Sequence, residues 1–467
     1  MSLFSSEYEA LKQVEPLGIV GKVSSVRGLT LLAQDLPVPI GSLVEIGSKT
    51  SSITGAPIRG EVVGFESSHA IIMLLADTTG IIPGAKVRLL QVFQASPVSH
   101  KMLGRVLNGL GEPIDHLGPI SETANQPINP TPISPMDRKR ITDPMRTGVR
   151  AIDLMTPIGR GQRMGIFAGP GVGKSTLLGQ IARGTDADVN VIALIGERGR
   201  EVLDFIEHSL GAEGLSRSVV IVATSDESPL LRIRAAKFAC TTAEYFRNAG
   251  NDVMLMMDSV TRFAHAQRQV GLSVGEPPAT KGFTPSVFST LATLLERAGC
   301  VNLPNGRSGS ITGLFTILVE GDDMTEPISD AARGILDGHI VLNRKLAHKG
   351  HYPAIDVLDS ISRVAGDISS SGQLAGRLQI TKLIAAYREI EDLIQIGAYA
   401  SGSNPEADTA VDMIHIINEL LQQRTNEQVN FDKACEMLVK LALQSGEMIQ
   451  QRRSLAQINQ QHNQPNF

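Results

Sequence analysis

Between residues 17 and 95 the apolar positions come in short runs, LGIVGKVSSV, GLTLLAQ, SLVEIGS, GEVVGFE, AIIMLLA and KVRLLQVF, set apart by Gly, Pro and Ser. Frequent short strands with turn residues between them predict a small β-barrel. From about residue 149 the rhythm changes. RMGIFA runs into a glycine loop and KSTLLGQIAR, VNVIALIG into REVLDFIEHSL, SVVIVATS into PLLRIRAAKFACTTAEYFRNAG, and DVMLMMD into SVTRFAHAQRQV. A strand apolar at nearly every position is buried on both faces, and its alternation with amphipathic segments predicts a parallel sheet covered by helices. Ser228 followed by Pro229 reads as a helix N-cap and first turn. Beyond residue 370 the pattern is helical, LAGRLQITKLIAAYREIEDLI and then TAVDMIHIINELLQQ, with a break at 401–405.

The segments between these blocks set the expected boundaries. Residues 1–16 place Phe4, Tyr8 and Leu11 at helical spacing and read either as a frayed terminus or as a short docking helix. The barrel follows over 17–95, then a proline-rich connection over 96–148, the alternating domain over 149–370 and a helical domain over 371–444. The Gln- and Asn-rich residues 445–467 read as a polar tail.

Length and composition narrow the class. A chain of 467 residues, 42% apolar and 19% charged, is globular and long enough for two or three domains. A net charge of −5, no Trp and 4% aromatic residues argue against a nucleic-acid partner. Three scattered cysteines, Cys240, Cys300 and Cys435, lack disulfide or zinc spacing. The acidic start resembles no signal peptide, and no run of about 20 apolar residues spans a bilayer. A cytoplasmic protein is expected.

The candidate chemistry begins at AGPGVGKST, residues 168–176. A glycine loop between strand and helix turns backbone N–H groups toward an anion at a positive helix end. Gly169, Pro170, Gly171, Val172, Gly173, Lys174, Ser175 and Thr176 would cradle the phosphates. Lys174 would reach the β- and γ-phosphates and Ser175 would meet Mg²⁺. Asp258, ending the apolar run MLMMD on a buried strand expected beside the phosphate-loop strand, suits the Mg²⁺ shell, although a carboxylate there can also cap the following helix. Glu197, in ALIGERGREV, has the same ambiguity. It can cap a helix, or it can orient and deprotonate an attacking water with Arg198 supplying charge.

GPGVGKST, IGERGREV, MDSVTRFAHAQ, GEPPATKGFTPSVF, VEGDDMTEPISDAARGILDGHIVLNR and HYPAIDVLDSISR together resemble the type III protein-export ATPases. These are homologues of the catalytic subunit of the rotary ATP synthases. The likeness covers about residues 17–440. It implies an α/β fold, a P-loop (RecA-like) parallel-sheet ATPase core with an N-terminal small β-barrel and a C-terminal helical domain. It implies ATP and Mg²⁺ as substrate and cofactor, Glu197 as the catalytic glutamate and Arg198 as a γ-phosphate contact. It also implies Tyr352 as the aromatic that packs on adenine and Arg363 as the arginine offered to a neighbouring subunit. The non-catalytic rotary subunit carries glutamine where this chain has Glu197. Ala168 replaces the usual first loop glycine. The expected partners are further copies of the chain in a hexamer, stator-like and stalk-like export components, export chaperones and substrates, and a membrane export gate at the inner membrane. LIQIGAYASGSNPEAD, residues 393–408, looks more like the flagellar branch than the injectisome branch. The rival classes are an RNA-translocating ring ATPase and a non-hydrolysing structural subunit.

Overall fold

The computed structural model describes residues 18–47, 58–75, 80–92, 94–303, 306–319, 321 and 323–462. The expected docking helix at 1–16 lies outside them. Six strands, β1 (Val20–Arg27), β2 (Thr30–Gln34), β3 (Leu43–Ile46), β4 (Ile58–Glu66), β5 (His69–Leu74) and β6 (Lys86–Gln91), close into a barrel in the order β1-β2-β5-β4-β3-β6. Alternate residues such as Val23, Leu31, Val44, Val62, Ile72 and Val87 fill its interior, as the period of two requires. The barrel expectation holds.

The second unit is a nine-stranded sheet. Its strands are β7 (Val106–Asn108), β8 (Arg163–Ala168), β9 (Val189–Glu197), β10 (Ser218–Thr224), β11 (Asp252–Asp258), β12 (Gly299–Asn302), β13 (Ser308–Leu318), β14 (Gly338–Leu342) and β15 (Ile355–Ser362). They run in the order β15-β14-β8-β13-β11-β9-β10-β7, with β12 paired to β13. Every pairing is parallel except β14 with β15 and β12 with β13. All nine residues of β9 are buried. Its Val191, Ala193 and Ile195 join one core with Phe238, Phe246 and Phe263. Ile192 and Leu194 join the other with Leu177, Leu178 and Ile181. Each such side chain contributes about 1.5–3 kcal/mol by leaving water.

The helices that matter here are α1 (Arg150–Met155), α2 (Lys174–Gly184), α3 (Pro229–Asn248), α4 (Val260–Ser273), α5 (Pro285–Leu295), α6 (Ser371–Gln395), α7 (Pro405–Leu421) and α8 (Phe431–His462). Helices α3, α4 and α5 cover one sheet face; α1, α2 and the last three helices share the core of the other.

Three sequence expectations change. The Asp258 strand does not adjoin the phosphate-loop strand, because β13 is inserted between β8 and β11. The connection at 96–148 is more than a linker. Its residues 106–108 pair with β10 as an edge strand, too short to show a period, and Ala95–Val98 pairs with Ala124–Pro127. The expected polar tail continues α8 without a break to His462. It is held by Arg453 on Glu406 at 2.6 Å, by an ion pair of Arg452 with Asp412, and by burial of Ile449. A polar composition fits a helix whose inner stripe alone is covered.

Candidate active site

The glycine loop leaves β8 and opens α2. Gly171 has φ +77° and Gly173, at the N-cap of α2, φ +90°. This left-handed backbone is where glycine is unstrained. The loop thereby brings the unpaired N–H groups of the first helical turn to the carboxyl edge of the sheet. Lys174, first residue of α2, extends its Nζ to Asp258 Oδ1 at 2.6 Å and stands 3.6 Å from Glu197 Oε1.

Asp258 ends β11 and is buried. Thr316 Oγ1, on the inserted strand β13, donates to its Oδ1 at 2.7 Å. The cap of α4 is not Asp258 but Ser259, whose Oγ accepts from Arg262 N at 3.3 Å. Glu197 likewise caps nothing. The N-cap position of the next helix is Arg198, with no side-chain cap. A register shift between Ile195 and Glu197, with Gly196 at φ +72°, turns the end of β9. Arg262 then reaches back, donating NH1 to the Gly196 carbonyl at 2.6 Å and standing 3.4 Å from each Glu197 oxygen.

Two carboxylates and two cations therefore meet in one buried cluster. Loss of hydration and the Asp258 charge hold the Glu197 carboxyl above the ordinary glutamate range, and Lys174 and Arg262 only partly oppose this. Glu197 Oε1 is buried without a hydrogen-bond donor. The cluster fits a magnesium–nucleotide. It combines a helix N-terminus and a lysine for phosphate, hard oxygen ligands for a divalent cation, and an unsatisfied acceptor for a water proton.

Beside the loop lies a cavity of about 1180 Å³. Gly171, Gly173 and Thr176 form one wall, Tyr352 and Pro353 the second, and Glu419 at the end of α7 with residues 422–427 after it the third. The Tyr352 ring stands over the loop, 3.7 Å from where a Cβ on Gly173 would be. Gln423 fixes this wall, donating from its backbone N to Tyr352 O at 3.0 Å and from Nε2 to Gly148 O at 2.9 Å. Its Oε1 accepts from Arg150 N at 2.8 Å.

The structure thus gathers Lys174, Glu197 and Asp258 in one cluster and the loop residues Gly171, Val172, Gly173 and Thr176 with Tyr352 around one cavity. It leaves two expected residues elsewhere. Arg198 is exposed and pairs with Glu201 at 3.3 Å. Arg363 follows β15, and its backbone N donates to Asp337 O at 3.0 Å, beside Arg163. That is the opposite end of the six-residue β8 from the phosphate loop, roughly 17 Å along the strand. Sequence reasoning missed Arg262, Thr316 and the wall of Glu419 and residues 422–427. Arg262 sits within a quoted motif, but its reach to Glu197 passes from the helix after β11 to the end of the neighbouring strand β9 and leaves no local signal.

Fold and cluster together define a P-loop ATPase core carried between a β-barrel and a helical domain. Residues 148–362 match the nucleotide-binding domain of the ATP synthase alpha/beta family, and residues 20–91 match the beta-barrel domain of that family. Residues 369–440 match the C-terminal domain of the type III secretion ATPase EscN. The chain belongs to the ATP synthase alpha/beta family. It is 48% identical over 436 residues to a flagellum-specific ATP synthase of Treponema pallidum, covering 93% of this chain and 96% of the relative. It is 48% identical over 423 residues to a type 3 secretion system ATPase of Xanthomonas euvesicatoria, covering 90% and 93%. The assembled ATPase EscN of enteropathogenic E. coli, solved with its central stalk EscO, superposes with a TM-score of 0.82 at 41% identity, covering 90% of this chain and all of that one. Among the described residues no helix is long and apolar enough to cross a membrane.

Proposed function

We propose that the chain hydrolyses ATP as one subunit of a homo-oligomeric ring, a hexamer, that energises or prepares protein export through the flagellar type III apparatus. The observation that carries the hydrolytic reading is the buried Glu197 carboxylate, clamped by Arg262 and free of any capping bond. Residues 169–176 cradle the phosphates, with Lys174 leaving Asp258 for the β- and γ-phosphate oxygens. Ser175 and Asp258 would hold Mg²⁺, which would supply positive charge to neutralise those oxygens. Glu197 orients the attacking water and takes its proton. Tyr352 packs on adenine. Arg198, exposed beside Glu197, serves the γ-phosphate, whereas Arg363 lies at the other end of β8 from its own loop and serves a neighbouring copy. Stalk-like and stator-like components, chaperones, export substrates and a membrane export gate are the partners, and the site of action is the cytoplasmic side of the inner membrane. The 48% identity to a type 3 secretion system ATPase favours an injectisome role as the second reading.

The test is Glu197→Gln, which keeps shape and removes the base. ATP binding should persist while turnover falls about 10²–10⁴-fold; near-normal turnover would return Glu197 to a structural role. For the branch, a strain lacking the chain should lose swimming and external filament, and regain both when the intact chain is restored. Unimpaired swimming would shift the assignment to contact-dependent secretion.

A further inference from the structure

A second cavity, of about 510 Å³, lies between the proline-rich segment 129–133, α3 and α5. It sits on the sheet face away from α2 and shares no lining residue with the nucleotide cavity. Its volume is that of a small-molecule site, and Pro130, Pro132, Ile133 and Leu294 give it the apolar lining such sites have.

Its ionic groups are unevenly satisfied. Arg297 donates to both Glu244 oxygens, at 2.9 and 2.6 Å, and to the Ile128 carbonyl at 3.0 Å. Arg138 donates to the Ala298 carbonyl at 3.0 Å and the Glu296 carbonyl at 2.6 Å. Both guanidinium forks are therefore engaged. Lys237 lines the same cavity and makes no side-chain hydrogen bond or ion pair among the described residues. Glu61, on the barrel strand β4, attracts Lys237 and Arg234 alike. Three acids, Glu61, Glu244 and Glu296, thus face four cations, Lys237, Arg234, Arg297 and Arg138, and one positive charge stays uncompensated. Burial pushes the Lys237 amine below the ordinary lysine range, and the Glu61 charge only partly opposes this.

We propose that this cavity binds a small organic monoanion, a carboxylic acid with an apolar body, whose carboxylate pairs with the Lys237 ammonium. A carboxylate suits it better than a phosphate monoester. The latter brings about −1.5 to −2 charges against a single uncompensated positive one, and the planar forks that grip phosphate bidentately are already taken. The apolar body would lie against Pro130, Pro132 and Leu294, and the hydroxyls of Thr131 and Thr290 are at hand for the carboxylate's second oxygen. The inference is independent of the hydrolytic reading.

The test uses the full chain and a matched pair of probes, 2-naphthoate and its neutral amide 2-naphthamide, followed by isothermal titration. The acid should bind saturably and at least about tenfold more tightly than the amide, the worth of one charge-assisted hydrogen bond. Lys237→Met should erase that preference. Thr293→Trp, placing an indole at the exposed rim, should weaken both probes and guards against misfolding of the lysine variant. Equal binding of acid and amide, absence of saturable binding up to about 10 mM of the acid, or a preference that survives Lys237→Met would each overturn the proposal.

Discussion

Gly196 shows how one residue can carry a site without touching substrate. Its φ of +72° lets β9 turn, and a Cβ added there would lie 2.8 Å from Arg262 Cδ. Gly196→Ala should therefore cost about 1–2 kcal/mol of backbone strain and push Arg262 off Glu197. Steady-state assays should show turnover reduced by about tenfold or more, on the scale of a misplaced catalytic group, with ATP affinity nearly unchanged. Asp115 illustrates the electrostatic side. Arg105 grips it bidentately at 2.7 and 2.8 Å, and backbone N–H groups of Val106 and Leu117 donate at 3.0 Å each, which holds its carboxyl well below the usual range. A depressed folded-state value stabilises the fold above the unfolded value of about 3.9 and loses that contribution as pH falls further. Asp115→Asn should destabilise by about 2 kcal/mol at pH 7, and urea titrations of the two proteins should converge toward pH 2. Lys174, Glu197 and Asp258 were legible because each sits at a fixed offset from a glycine loop or strand end. Arg262 and Thr316 were not, because each acts across the sheet on a residue more than 50 positions away.

At the scale of elements, strands buried on both faces announced themselves as unbroken apolar runs, and the barrel announced itself by its turns. Strand order did not. The insertion of β13 between β8 and β11 is a crossover, and no local pattern encodes which buried strand lies next to which. The last helix was misread because composition was weighed above periodicity. Its end beyond residue 445 braces α7 through Arg452 and Arg453 and through the buried Ile449. Removing residues 445–467 should lower the melting temperature by a few degrees, about 2–4 °C for each kcal/mol lost in a domain of this size. An unchanged melting temperature would mean that the helix end adds nothing beyond its own hydrogen bonds.

At the scale of the whole molecule, the distance between Arg363 and its own phosphate loop governs the outcome of mixing. Purified Arg363→Ala and Glu197→Gln chains should each bind ATP and turn over poorly, since an arginine offered in trans contributes about 10³–10⁵ in rate. Mixed together, they should regain turnover, because some junctions then pair an intact Glu197 with an intact Arg363. No recovery in the mixture, with rings still forming, would put the arginine outside the reaction.

With Arg363 serving a neighbouring copy as proposed, each chain would be two unfinished halves, joined head to tail with its neighbours. An open arc always leaves one half idle at each end, and only closure employs them all. A lesion at Arg363 would accordingly be felt next door: the altered copy keeps its own pocket intact and silences the one beside it.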